Sequence, residues 1–292
     1  MQTSMASIMI CAVLCLCGCS SSDGTSANSV AQGIYCGSFT ATFGSTGSSS
    51  SSGSSSSSSS SSSGSATSGS SSFCGGSDSS PVFFGMVQAD GTAVFFTKQN
   101  SNLVLYAPAA VTAASFSVPV NAIGLNGSIV RTVAGGTDSG TLTGTVSSGG
   151  DLSGSIADNY GNNVDFAATA NADTWARTSS LATVAGSYKA SFSLGGTTYA
   201  PTLAIDSSGN ITGTDSGGCS YGGAVTTPDP LHNDYNMKLT SSCLSGQTFS
   251  GIGAYFPAGL SNPNGILSPA ELKVGLSNGT ASGIYLNLSL SN

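Results

Sequence analysis

Apolar side chains recur at every second position over short stretches of this chain, and turn-forming residues separate the stretches. Leu286, Leu288 and Leu290 alternate with Asn287 and Ser289, a period of two that predicts a half-buried strand. Val82–Gln88, Ala93–Thr97, Leu103–Tyr106, Gly140–Val146, Val164–Ala168 and Leu272–Leu276 are short and rich in apolar, β-branched or aromatic residues, and read as further strands. Between them lie Ala89-Asp90-Gly91, Ser148-Gly149-Gly150-Asp151, Asp206-Ser207-Ser208-Gly209-Asn210 and Ser277-Asn278-Gly279. Gly and Asn there accept the positive φ of tight hairpins. Helix is minor: one turn is expected before a strand at Thr183 to Gly186, and the alanines near Val111 fit either state. The pattern predicts an all-β protein.

A repeat divides it. Gly33-Ile34-Tyr35-Cys36-Gly37-Ser38-Phe39 matches Gly186-Ser187-Tyr188-Lys189-Ala190-Ser191-Phe192 as G-x-Y-x-x-S-F. Each copy precedes a hairpin-like stretch around an Asp-containing turn, Met86 to Phe95 and Leu203 to Ile211. Two small antiparallel β-barrel or sandwich lobes follow, over residues 30–172 and 180–292, with 173–179 as a linker around Trp175. A β-solenoid is the alternative, but no steady repeat period supports it.

The N-terminus carries an address. Ile8 to Leu16 is apolar throughout, too short for a bilayer core of ~30 Å but suited to a signal peptide. It runs into Leu16-Cys17-Gly18-Cys19, which resembles the lipobox of bacterial lipoproteins. That resemblance implies cleavage of a signal peptide, 1–18, and acylation of Cys19, with 19–29 as a flexible tether. Each buried methylene of the lipid contributes ~0.8 kcal/mol to membrane binding. Ser20 rather than Asp after the lipidated position implies onward transport to the outer membrane, on either face. Residues 1–18 contain no Lys or Arg, a departure from the usual positive start. An ordinary secretory signal is the alternative.

A second resemblance is looser. The G-x-Y strand, preceded by a helical turn at Leu181 to Ala185, resembles the G-x-W opening of calycin-type barrels, with Tyr for Trp. Paired barrel lobes on a lipidated stem also resemble bacterial surface lipoproteins that bind host proteins. These likenesses imply the architecture and no binding residue.

Composition narrows the partners. Charged residues are 7% of the chain, against ~25% in an average domain. Thirteen acidic and six basic side chains give a net charge of −7, and the first basic residue is Lys98. So few cations cannot neutralise many phosphates, which argues against nucleic acid, and no basic cluster exists to hold anionic lipid. The membrane is reached through the N-terminal lipid. From Ser48 to Ser72 every residue is Ser, Gly, Ala or Thr, and 45–72 is expected to be a disordered loop within the first lobe.

Of eight cysteines, Cys11, Cys15 and Cys17 leave with the signal and Cys19 is acylated. Cys36, Cys74, Cys219 and Cys243 remain, an even number that reads as two disulfides with three possible pairings. The local pairs Cys36–Cys74 and Cys219–Cys243 are expected. No C-x-x-C spacing in the mature chain supports a metal site.

Candidate chemistry is sparse. His232 is the single histidine, in Asp229-Pro230-Leu231-His232-Asn233-Asp234, and suits a solvated loop better than a metal site. Gly213-Thr214-Asp215-Ser216-Gly217-Gly218 resembles the nucleophile segment of trypsin-like proteases, but Thr214 interrupts the pattern. The same Gly-Thr-Asp-Ser-Gly string recurs at Gly136–Gly140, which reads as duplicated turn chemistry. Asp158 and Asp165 are candidate paired carboxylates or hairpin residues, and Glu271 has no evident partner. Trp175, Tyr221, Tyr235 and Tyr255 suit a recognition surface or burial. No catalytic, cofactor or metal residue is assigned. A non-enzymatic role in binding, adhesion or envelope structure is expected, with a protein or small apolar ligand as partner. A lipocalin-like carrier is the alternative, and a hydrolase is third.

Overall fold

The computed structural model describes residues 31–42, 81–99, 102–126, 138–159, 161–259, 269–279 and 282–291. The lipobox with Cys19, the serine-rich 45–72 and Cys74 lie outside the described residues. The first eight strands are β1 (Gly33–Thr42), β2 (Val82–Val87), β3 (Thr92–Gln99), β4 (Asn102–Ala110), β5 (Ser115–Asn126), β6 (Asp138–Val146), β7 (Leu152–Asp158) and β8 (Asn163–Ala170). Each pairs antiparallel with the next, and β1 closes on β8 from Tyr35↔Ala170 to Thr42↔Asn163. Two helical turns follow, α1 (Ala172–Trp175) and α2 (Leu181–Val184), capped by the side chains of Asn171 and Ser180.

The second half opens with β9 (Gly186–Lys189) and the small hairpin of β10 (Phe192–Leu194) and β11 (Thr197–Tyr199). It continues through β12 (Thr202–Ile205), β13 (Asn210–Thr214), β14 (Ser220–Thr226), β15 (Tyr235–Ser241), β16 (Thr248–Phe256), β17 (Glu271–Ser277) and β18 (Gly283–Leu290). With β9 seated between β12 and β18, these strands close a second eight-stranded barrel. Both lobes are therefore barrels, and neither is a sandwich.

Side-chain parity explains the closure. Along β6, Leu142 and Val146 point inward and are buried while Thr141 and Thr145 face out. Outward hydroxyls ladder across strands, with Thr143 and Ser155 oxygens 3.0 Å apart. The turns use the expected residues. Asp206 accepts the backbone N–H groups of Ser208 and Asn210 at 2.8 Å each. Gly209 sits at φ +84°, where a Cβ would lie 2.3 Å from the Val225 carbonyl oxygen.

The repeated motif has one geometry in both barrels. Tyr35 and Tyr188 are buried on the opening strands. Each phenol donates to the backbone oxygen four residues earlier, Tyr35 to Ala31 at 2.6 Å and Tyr188 to Val184 at 2.8 Å. The tyrosine thereby ties the entering chain to the inside of its barrel.

The interiors are filled by side chains. In the first, Phe83 stacks on Phe166 with centroids 4.1 Å apart, and glycines make room for the rings. A Cβ on Gly154 would approach Phe166 to 2.9 Å, and one on Gly144 would meet Phe116 at 2.5 Å. In the second, Tyr188, Leu203, Leu239, Phe249, Leu272 and Leu286 are buried together.

Several strands of the first barrel are buried on both faces. All six residues of β2 are buried, because Phe84 and Met86 turn outward onto the second barrel. They pack with Ile34, Val94, Phe96 and Leu105 against Ile252 and Ala254. Gly275 and Gly283 let the backbones approach: a Cβ at Gly275 would lie 2.4 Å from Phe96, and one at Gly283 2.7 Å from Leu105. Phe96 meets Tyr285 edge-on at 5.4 Å. The gap left between Met86, Phe96, Lys273 and Tyr285 has no room for a water molecule.

Candidate functional site

Three buried polar side chains, Gln88, Asp234 and Lys273, lie where the two barrels meet. Lys273 projects from β17 into the seam and is buried, with its Nζ 3.2 Å from Glu271 Oε2 and 5.0 Å from the Phe256 ring centre. Asn287 donates to the other Glu271 oxygen at 2.9 Å. Burial holds the Lys273 ammonium below the ordinary lysine range, and Glu271 partly opposes that shift. Glu271 thus has two partners, which its sequence neighbourhood did not suggest.

A second polar contact joins the barrels directly. Gln88 follows β2, and its side-chain nitrogen donates to Asp234 Oδ1 at 2.5 Å and to Asn236 Oδ1 at 2.7 Å. Asp234 is 1% exposed, and no donor reaches its other oxygen. Burial pushes this carboxyl up to about 6, although the Gln88 hydrogen bond opposes the shift.

The linker is pinned beside it. Asn233 donates its backbone N–H to the Trp175 carbonyl at 3.0 Å. The Asn233 side chain donates to Tyr255 O and accepts from Tyr255 N, each at 2.8 Å. His232 stacks on Trp175 with centroids 4.8 Å apart, and its Nδ1 lies 2.6 Å from Asp229 Oδ2. These residues organise a connection.

The hydrolase arrangement is not assembled. Ser216 lies in the turn between β13 and β14, where Asp215 accepts the N–H groups of Gly217 and Cys219 at 2.9 and 3.0 Å. The Tyr221 hydroxyl on Asp215 holds that carboxyl below its usual range, ahead of the turn's own N–H groups. His232 lies in the loop after β14, at the far end of that strand, so about 23 Å of strand rise separates the two. Asp158 and Asp165 do not pair either: Asp158 is in phase with inward Ile156, while Asp165 is exposed on the outer face. The string at Gly136–Gly140 is also unlike its copy, since Asp138 begins β6 and points into the barrel.

Trp175, Tyr221 and Tyr235 are buried and Tyr255 packs on the second core, so these rings form no open recognition face. Cys219 and Cys243 are bonded to each other across 24 residues, joining the turn before β14 to the one after β15. Cys36 is disulfide-bonded as well; its expected partner Cys74 lies outside the described residues. Acylation of Cys19 concerns a segment that is likewise outside them. Sequence reasoning missed the seam. Its signal was present in Val82-Phe83-Phe84 and Leu103-Val104-Leu105, continuous apolar runs unlike the alternating Leu286–Leu290.

No protein-family model and no curated protein matches this sequence. Among solved structures, the chain is similar to a "putative outer membrane protein" from Bacteroides fragilis at 14% identity and a TM-score of 0.30. That alignment covers 91% of this chain and 100% of the other.

Proposed function

We propose that this chain is an envelope lipoprotein, tethered to the outer membrane by lipid on Cys19, whose two barrels work from their outer surfaces. The role is non-enzymatic: binding, adhesion or envelope architecture. The observation that carries this reading is the parity of the strands. A barrel that spans a membrane turns an apolar band outward and keeps polar residues inside. Here Leu142, Leu152, Ile156 and Phe166 point inward, and Thr141, Thr145, Ser153 and Asp165 face outward. Such a wall is suited to water, which leaves membrane attachment to the lipobox-like Leu16-Cys17-Gly18-Cys19.

The filled interiors favour surface action over the lipocalin-like alternative. Carriers of apolar ligands enclose a cavity of several hundred Å3, whereas Phe83, Phe95 and Phe166 occupy the middle of the first barrel. The fused seam favours a rigid module over two independent beads.

Native mass spectrometry of the exported chain bearing Cys19→Ala tests the choice between these roles. The expected mass is that of the processed, disulfide-bonded polypeptide alone. A stoichiometric apolar adduct that survives dialysis would replace this reading with the carrier.

A further inference from the structure

The outer face of the last hairpin brings an amine, an amide and a carboxylate to one spot. Lys273 of β17 and Asn287 of β18 stand directly opposite each other across the antiparallel pair. Parity puts both on the outer face, since Leu272, Val274, Leu286 and Leu288 fill the barrel. The Cβ atoms of such a pair lie about 4.5–5.5 Å apart, within reach of a lysine bent across it. Glu271 holds both side chains on one carboxylate. Lys273 Nζ is 3.2 Å from Oε2, and Asn287 Nδ2 donates to Oε1 at 2.9 Å.

The surroundings suit a reaction between them. The Lys273 and Glu271 side chains are 6% and 14% exposed, and the Phe256 ring lies against the amine. Burial favours the neutral, nucleophilic form of Lys273. Asn287 Oδ1 is buried with no donor, so this amide is poorly satisfied as it stands. The adjoining gap between Lys273 and Tyr285 has no room for a water that could compete as nucleophile.

We propose that the folded protein joins Lys273 to Asn287 by an amide bond between their side chains, with Glu271 as the acid–base group. The Lys273 ammonium passes a proton to Glu271, and the lone pair so freed forms a bond to Asn287 Cγ. Glu271, in contact with both nitrogens, takes a proton from the attacking one and returns a proton to the leaving one. The Cγ–Nδ2 bond breaks, ammonia leaves, and it carries off the transferred proton as ammonium, which restores the Glu271 carboxylate. One C–N bond forms and one breaks, with no oxidant or co-reactant. The ion pair described above is the state before the bond. Its replacement by a neutral link removes two buried charges and closes the β17–β18 hairpin covalently beside the seam.

The test is peptide mapping of the whole chain bearing Cys19→Ala, incubated overnight at neutral pH, then denatured, reduced, alkylated and digested. Trypsin cuts after a free lysine but not after an acylated one. The peptide from Leu239 should therefore run uncut through Lys273 to Asn292, lighter than its sequence by one ammonia. Chymotrypsin, cutting after Leu276 and Tyr285, should leave the Lys273 and Asn287 fragments joined. Asn287→Ala should restore cleavage at Lys273 and abolish the mass loss. Glu271→Gln keeps both partners and should slow bond formation by about a hundredfold or more; equal rates would remove Glu271 from the proposal. The chain with all three residues in place decides the bond itself, so the result does not hang on a variant that folds. Full mass with cleavage at Lys273 would leave a plain ion pair. Ammonia loss with Lys273 still cleaved would mean that Asn287 has cyclised on its own backbone. Either result overturns the bond.

Discussion

Gln88 of the first barrel donates its side-chain amide to Asp234 of the second, 2.5 Å away, beside the apolar packing of the seam. The two residues are 146 positions apart in the chain, so this bond exists only when both barrels are folded and docked. Gln88→Ala leaves the buried carboxyl without its donor and should cost about 1–3 kcal/mol in chemical denaturation. A change of less than a few tenths would mean that water replaces the amide and that the bond does not hold the seam.

Lys273 and Glu271 should respond as a pair. Removing one partner of a buried ion pair leaves an uncompensated charge, and Glu271→Gln is expected to destabilise the protein by about 3 kcal/mol. The double change Lys273→Met with Glu271→Gln should recover much of that loss, because Met86, Phe96 and Phe256 offer the replacement apolar contacts. A double-mutant cycle showing simple additivity would contradict the pairing.

Acidity should stabilise this protein over a range where most proteins begin to weaken. Asp138 and Asp234 have folded pKa values near 7 and 6, above their ordinary value of 3.8. The folded state therefore binds more protons than the unfolded one, and stability falls as pH rises from about 4 through 7. Tm should be higher at pH 5 than at pH 7.5. Asp138→Asn and Asp234→Asn should each flatten that slope; a Tm that rises with pH across the window would reverse the assignment.

The tyrosine repeat makes a paired prediction. Tyr35→Phe and Tyr188→Phe each remove one phenol-to-carbonyl bond, and each should cost about 1 kcal/mol. Their effects should add, since they sit in separate cores. Equilibrium denaturation of the two single variants and the double variant checks this.

Local rules explain which features could be read from the chain. Period-two strands such as Leu286–Leu290 and turns such as Asp206–Asn210 are set by neighbours, and both appear where residue pattern places them. The G-x-Y repeat likewise marked two structurally equivalent openings. Residues brought together by strand register were not legible. Asp138 and Asp158 are diagonal neighbours on the paired strands β6 and β7, where Gly140 stands opposite Asp158, and the nearer partner in sequence, Asp165, faces the other way by parity. The identical strings at Gly136–Gly140 and Gly213–Gly217 show the limit: one leads an acid into a core, the other builds a turn. Inter-barrel packing was hidden because continuous apolar runs also suit a single buried strand.

The account rests most directly on tethering by lipid with the barrels in water, and fractionation of cells expressing the chain with and without Cys19→Ala measures that. The original chain should sediment with outer membranes and be released by detergent. The Cys19→Ala chain should be soluble, folded and still bridged between Cys219 and Cys243. If that variant stays in carbonate-washed membranes, the barrels themselves embed in lipid, and the surface-acting lipoprotein reading is contradicted.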